Sequence, residues 1–218
     1  MKKITSIFLL LLVVGLNNNS VVAQSKSWAL INKNSAIAMI NRNSEADPDI
    51  YKKSITYLND CLKYFPRDYE AIYYRGVAKM NLKNNVGAIT DFNAAIKLRD
   101  IEPFINAYYD RAICKIELKQ YKEALSDLDM VKKWDPRTSN LIYTFYAMCN
   151  YNLGKIDEAK HNLALSLPDY PNVNDNYHIR GLIRLREKDY QGACEDFTKA
   201  KELGYKKSLE KEMAAACK

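Results

Sequence analysis

Apolar positions in the chain recur at helical spacing, and the whole pattern then repeats. Ala88, Ala124, Ala159 and Ala193 stand 36, 35 and 34 residues apart. Four residues after each comes a large apolar side chain: Phe92, Leu128, Leu163 and Phe197. Twelve residues before each sits a small one: Gly76, Ala112, Ala147 and Gly181. Three residues before the alanines, Tyr121, Ile156 and Tyr190 mark the start of a helix, with Asn85 departing from the pattern. Self-similarity at this period signals an array of supersecondary units. Each copy predicts two amphipathic helices joined by a tight polar turn, such as Lys83-Asn84-Asn85 or Arg186-Glu187-Lys188-Asp189. Small residues on both helices let the pair approach closely, and the large residue fills the remaining space. One hairpin cannot bury its apolar face alone, so the hairpins must stack.

Three stretches carry a family likeness: YYRGVAKMNLKNNVGAITDFNAAIKL from Tyr73, YYDRAICKIELKQYKEALSDLDMV from Tyr108, and YHIRGLIRLREKDYQGACEDFTKAKEL from Tyr177. They resemble the tetratricopeptide repeat (TPR). Pro136 and Pro171 stand at that family's closing-proline position, and Asp100 and Tyr205 replace it in the other copies. Tyr108, Tyr143 and Tyr177 replace the family's early tryptophan, and Ile72 does so in the first clear copy. The resemblance is strong over Tyr69–Tyr205 and weaker over Asp49–Pro66, which looks like half of an earlier repeat whose partner helix is Ser25–Ile40. It implies an all-α fold: a right-handed superhelix, or solenoid, of antiparallel helix pairs. First helices would line a concave face and second helices the convex back. The expected organisation is a signal peptide over 1–23, N-terminal helices with a degenerate repeat over 24–68, four TPR-like repeats over 69–205, and a capping helix over 206–218 that covers the end of the array.

The first 23 residues read as an export signal. Lys2 and Lys3 precede an apolar stretch, Ile4–Leu16, that is only thirteen residues long and ends at Asn17, Asn18 and Asn19. Small residues Val21 and Ala23 place cleavage between Ala23 and Gln24; the alternative is an uncleaved anchor. No cysteine near the cut offers a lipid-attachment site, and no other segment is apolar enough to span a membrane. The expected location is therefore periplasmic or secreted. Losing Lys2 and Lys3 lowers the formal charge from +7 to +5, a dispersed excess that does not point to nucleic acid.

Several residues look chemical at first sight. Arg75 and Asp91, Arg111 and Asp127, and Arg180 and Asp196 recur sixteen residues apart, one member on each helix of a hairpin. They are expected to be register-fixing ion pairs rather than an anion-binding ladder, because packing solutions recur with a repeat and sites rarely do. Tyr146 and Asn162 replace the pair in the remaining copy. Asp127/Asp129, Asp157/Glu158 and Glu195/Asp196 lack an accompanying nucleophile or glycine loop, and His161 and His178 fall on different repeats. No catalytic residue, metal site or cofactor is expected. Cys61, Cys114 and Cys149 read as core. Carrying the repeat register on to Cys217 places it opposite Cys194 in antiparallel packing. That predicts a Cys194–Cys217 disulfide pinning the cap, with two buried thiols as the alternative.

The resemblance also implies where a partner would sit. The family's ligand-facing positions correspond here to Glu70, Tyr73, Val77 and Met80; Asn106, Tyr109, Ile113 and Ile116; Leu141, Thr144, Met148 and Tyr151; and Asp175, His178, Leu182 and Leu185. Val77, Ile113, Met148 and Leu182 form an apolar stripe bordered by Tyr73, Tyr109 and Tyr151, and such stripes mark interaction sites when uncovered. The alternative is that the chain folds over the stripe and buries it. The family's basic clamp for acidic chaperone tails is absent: Tyr73, Val77, Glu70 and Tyr74 hold those positions in one repeat, and Tyr109, Ile113, Asn106 and Asp110 in the next. The expected function is a non-enzymatic scaffold that binds an apolar protein or peptide segment in its groove. Self-association, or a hydrolase on a repeat scaffold, are the alternatives.

Overall fold

A computed structural model describes residues 2–43, 47–99, 104–135 and 139–217, with the side chains of 1–19 and of 139–140 left aside. Asp100, Pro136 and most of the expected signal segment therefore lie outside the described side chains. Among the described residues there are eleven α-helices and no strand: α1 (Lys2–Arg42), α2 (Pro48–Tyr64), α3 (Tyr69–Asn81), α4 (Asn85–Leu98), α5 (Ile105–Glu117), α6 (Tyr121–Trp134), α7 (Ser139–Asn152), α8 (Ile156–Ser166), α9 (Asn174–Arg186), α10 (Tyr190–Glu202) and α11 (Glu210–Ala216). They pack as consecutive pairs, α1 with α2 through α9 with α10, and α11 lies on α10.

The chain divides into two compact units, Met1–Glu102 and Pro103–Lys218. The division falls inside the expected four-repeat block, between its first and second copies. In the first unit α1 packs on α2 through Ala36 and Ile40, with Tyr51, Leu58 and Cys61 opposite. Lys33 ties α1 to the head of α3 by ion pairs with Asp68 (3.0 Å) and Glu70 (2.9 Å). Helix α1 runs unbroken through the expected cleavage point, and Trp28 and Ile31 on it are exposed. Among the described residues no helix is long and apolar enough to cross a membrane.

The hairpins close identically. The second residue after each of α3, α5, α7 and α9 adopts left-handed backbone geometry: Lys83 (φ 62°), Lys119 (φ 60°), Gly154 (φ 77°) and Lys188 (φ 66°). The next N–H then reaches back five residues, as in Gln120 N to Lys115 O (2.8 Å) and Lys155 N to Asn150 O (2.9 Å). Asn84 and Asp189 cap the following helices by accepting from Gly87 N and Gly192 N, each at 3.0 Å.

Inside each hairpin the small and large positions are matched in size. An ideal Cβ on Gly76 would stand 2.7 Å from Phe92 Cε1, and one on Gly181 would stand 2.6 Å from Phe197 Cε1. Where the large residue is Leu128 or Leu163, the small one is Ala112 or Ala147, all four essentially buried. Glycine goes with phenylalanine and alanine with leucine, so summed volume is conserved across the array.

The recurring aspartates are buried and fully paired. Arg75 Nη2 meets Asp91 Oδ1 at 2.7 Å, Arg111 Nη2 meets Asp127 Oδ1 at 2.5 Å, and Arg180 Nη2 meets Asp196 Oδ1 at 2.6 Å. A second cation one helical turn on reaches the other oxygen: Lys79 (2.7 Å), Lys115 (2.7 Å) and Arg184 (2.9 Å). In the copy without arginine, Tyr146 donates to Asp129 Oδ1 at 2.6 Å. That copy also holds a closed polar triangle between α7, α8 and α9. Thr144 donates to Asn176 Oδ1 (2.8 Å), Asn176 Nδ2 donates to Ser166 Oγ (2.9 Å), and Ser166 and Thr144 share a hydrogen bond of 2.8 Å. Buried polar groups of this kind fix pairing between helices because each would be costly if left unmade.

Candidate functional site: a groove on the second unit

Helices α5, α7 and α9 place their inward positions side by side. Ile113 and Ile116 on α5, Phe145, Met148 and Tyr151 on α7, and His178 and Leu182 on α9 line two hollows that share Ile116 and Met148. One has a volume of about 250 Å³ and the other about 520 Å³. Ile116 is buried and the others are half-buried. Tyr109 stands at one border, edge-on to Phe145 with ring centroids 5.7 Å apart.

The other wall comes from the chain's own C-terminal segment. Gly204 (φ 79°) ends α10, and Tyr205, Lys206, Lys207 and Ser208 run back along the groove before α11 begins at Glu210. Among the described residues of the expected capping helix over 206–218 only Glu210–Ala216 is helical, a short helix preceded by a non-helical strap. The glycine in left-handed geometry makes this turn at little cost, which a side chain would not. Tyr205 stacks on His178 at 4.4 Å between ring centroids, and its hydroxyl hydrogen-bonds His178 Nδ1 at 2.9 Å. Leu182, Leu185 and Tyr177 pack with Tyr205 and Met213 against Phe197, Leu209 and Ala216. Thus three expected partner-contacting residues, His178, Leu182 and Leu185, lie against the strap. Ile113, Ile116, Met148 and Tyr151 border its hollows.

In the first unit, Tyr73 is buried, tilted against Phe92 at 5.8 Å between centroids and edge-on to Tyr74 at 5.1 Å, and Val77 and Met80 are half-buried. Tyr73 is thereby a packing residue, because its ring reaches the Phe92 layer.

The groove's polar rim follows from burial. Burial lowers the His178 pKa from its ordinary 6.5, and Lys207 lowers it further while Glu212 opposes. Burial raises the Asp175 carboxyl, with Lys207 opposing. Burial also pushes the Tyr205 hydroxyl up to about 12, helped by the charges of Asp175, Glu212 and Glu117. Sequence reasoning missed Phe145, Glu117, Tyr205, Lys207 and Glu212. The signal for the last three was the Gly204 helix stop, which turns the following residues toward the groove. The Cys194 and Cys217 sulfurs are bonded, 23 residues apart, and Cys61, Cys114 and Cys149 are buried thiols. Burial raises Cys149 to about 12, which leaves it an inert core thiol. Among the described residues no group of three or more His, Cys, Asp or Glu is placed to hold a metal ion.

Paired helices, size-matched small and large positions and a lined inner face define a helical-repeat fold of the TPR type. Solved structures share it. The MamA fragment 41-end from Desulfovibrio magneticus RS-1 superposes with a TM-score of 0.66 at 24% identity, covering 80% of this chain and 94% of that one. YrrB, described as a TPR protein with an unusual peptide-binding site, superposes with a TM-score of 0.66 at 18% identity, covering 91% and 96%. A tetratricopeptide repeat protein from Parabacteroides merdae gives 0.61 at 22% identity, covering 83% and 70%. No protein-family model and no curated protein matches the chain.

Proposed function

We propose that this chain is an exported, non-enzymatic scaffold that binds an apolar segment of a partner protein in the groove of its second unit. The observation that carries the reading is the run of Ile113, Ile116 and Met148 along hollows between α5 and α7, with α5 tied to α6 by buried ion pairs and α7 tied to α6 by the Tyr146–Asp129 hydrogen bond. A pre-formed apolar wall of this kind binds by burying a partner's side chains with little ordering cost on its own side. The peptide-binding site named for YrrB gives the fold a precedent for this use. Export is proposed on Lys2, Lys3, the short apolar run and the Val21–Ala23 cleavage signature.

The test is capture from envelope and culture fractions by the chain beginning at Gln24, with Ile113→Glu plus Met148→Glu as control. Capture lost with the double variant, at unchanged helicity, supports the groove. Equal capture by both overturns it, and self-capture identifies a second copy as the occupant.

A further inference from the structure

We propose that the C-terminal segment 203–217 is a strap latched by the Cys194–Cys217 disulfide, and that reduction of this bond frees the strap and opens the apolar groove. The proposal rests on the groove being the working surface. The strap forms one wall of the groove and narrows it: Tyr205 and Lys207 border both hollows, and Ser208 and Glu212 border the larger one.

Its non-covalent hold is thin. Lys206, Lys207, Ser208, Glu210 and Lys211 are exposed. Helix α11 has seven residues and no side-chain hydrogen bond at its N-cap. So short a helix does not persist without tertiary support. That support comes from Leu209, Met213 and Ala216, the Tyr205–His178 pair, and one hydrogen bond from Asn174 Nδ2 to the Leu203 carbonyl. The disulfide adds the one covalent tie between the end of the strap and α10.

That bond is also reachable. Cys217 is exposed, and a surface hollow of about 960 Å³ along α10 runs up to both cysteines. Tyr190, Gln191, Glu195, Thr198, Lys199 and Glu202 line it, so the bond stands at an open surface where a small thiol can reach it. The reductant is a dithiol. Its first thiolate attacks the exposed Cys217 sulfur, the S–S bond breaks, and Cys194 leaves as a thiolate that takes up a proton. The second thiolate attacks the mixed disulfide and releases Cys217. The protein disulfide gains two electrons, and the dithiol becomes a disulfide.

The experiment compares the full chain before and after dithiothreitol. Hydrogen exchange of the amides in 205–216 should accelerate at least about tenfold on reduction, with the helices of the first unit unchanged. Binding of the apolar dye anilinonaphthalene sulfonate should rise in parallel. The double variant Cys194→Ser, Cys217→Ser should show both properties without reductant. Met148→Glu should remove the dye gain and keep the exchange gain, which places the uncovered surface in the groove. Unchanged exchange after reduction, or in the double variant, overturns the latch whatever the partner. Accelerated exchange with no gain in dye binding overturns the opening of the groove, whereas a dye gain that survives Met148→Glu overturns the groove as the surface uncovered.

Discussion

The matched sizes of Gly181 and Phe197 make a sharp test of how these hairpins hold together. A Cβ at position 181 would stand 2.6 Å from Phe197 Cε1 and 2.8 Å from Cδ1, with Phe197 fully buried. The ring cannot swing outward, so Gly181→Ala overpacks the hairpin, which costs about 1–3 kcal/mol. Alanine's better helix propensity returns about 1 kcal/mol, leaving a net loss of about 1 kcal/mol. Phe197→Leu alone leaves a void beside Gly181 and costs about 1.5 kcal/mol. The double variant recreates the Ala112–Leu128 and Ala147–Leu163 arrangement already present in the chain. It should lie within about 0.5 kcal/mol of the parent, a coupling near 2 kcal/mol. Urea unfolding followed by far-ultraviolet circular dichroism measures all four proteins. Additivity of the two single changes within about 0.5 kcal/mol would refute the size-matching argument.

Three further outcomes follow from the geometry. Asp127→Ala leaves Arg111 and Lys115 facing each other without their shared carboxylate and should cost about 3 kcal/mol in urea unfolding. Gly154→Ala, at φ 77°, should destabilise by about 1 kcal/mol, whereas Lys119→Gly at the equivalent turn (φ 60°) should stabilise by about 0.5 kcal/mol. His178 is held below its ordinary 6.5 in the folded chain, so the unfolded chain binds the extra proton first as pH falls. Stability should therefore drop as pH falls below 6.5, down to the depressed folded value, and His178→Phe should flatten that part of the profile. Asp175, raised above its ordinary 3.8, acts with the opposite sign, its folded form binding the proton first.

The repeat was legible because its signal is redundant. Small and large residues at fixed offsets occur four times, and each occurrence constrains the others. The ion pairs were legible for the same reason, yet Lys79, Lys115 and Arg184 were not. Each lies one turn beyond its arginine on the same helix face, where a surface charge is equally ordinary. The groove's Ile113, Ile116, Met148, Tyr151 and Leu182 could be placed by carrying the family's positions along the repeat register, whereas Phe145 lies off those positions and was missed. The groove's cover could not be placed, because Tyr205–Ser208 makes no repeating pattern and its path is set by Gly204 and by the fit of Tyr205 on His178. The length of α11 was overestimated because Lys206, Lys207 and Ser208 are acceptable helix residues that nothing in the local sequence forbids. The division between Glu102 and Pro103 was likewise hidden inside an unbroken periodicity.

The most direct test of the central claim places a photoreactive side chain at Met148, facing the groove, and a second at Leu165, exposed on α8. Irradiation in reduced envelope or culture fractions, followed by peptide mapping, reads what each position touches. The account predicts one apolar partner segment crosslinked at position 148 and absent at position 165. Crosslinking at 165 alone, or at both alike, would contradict it.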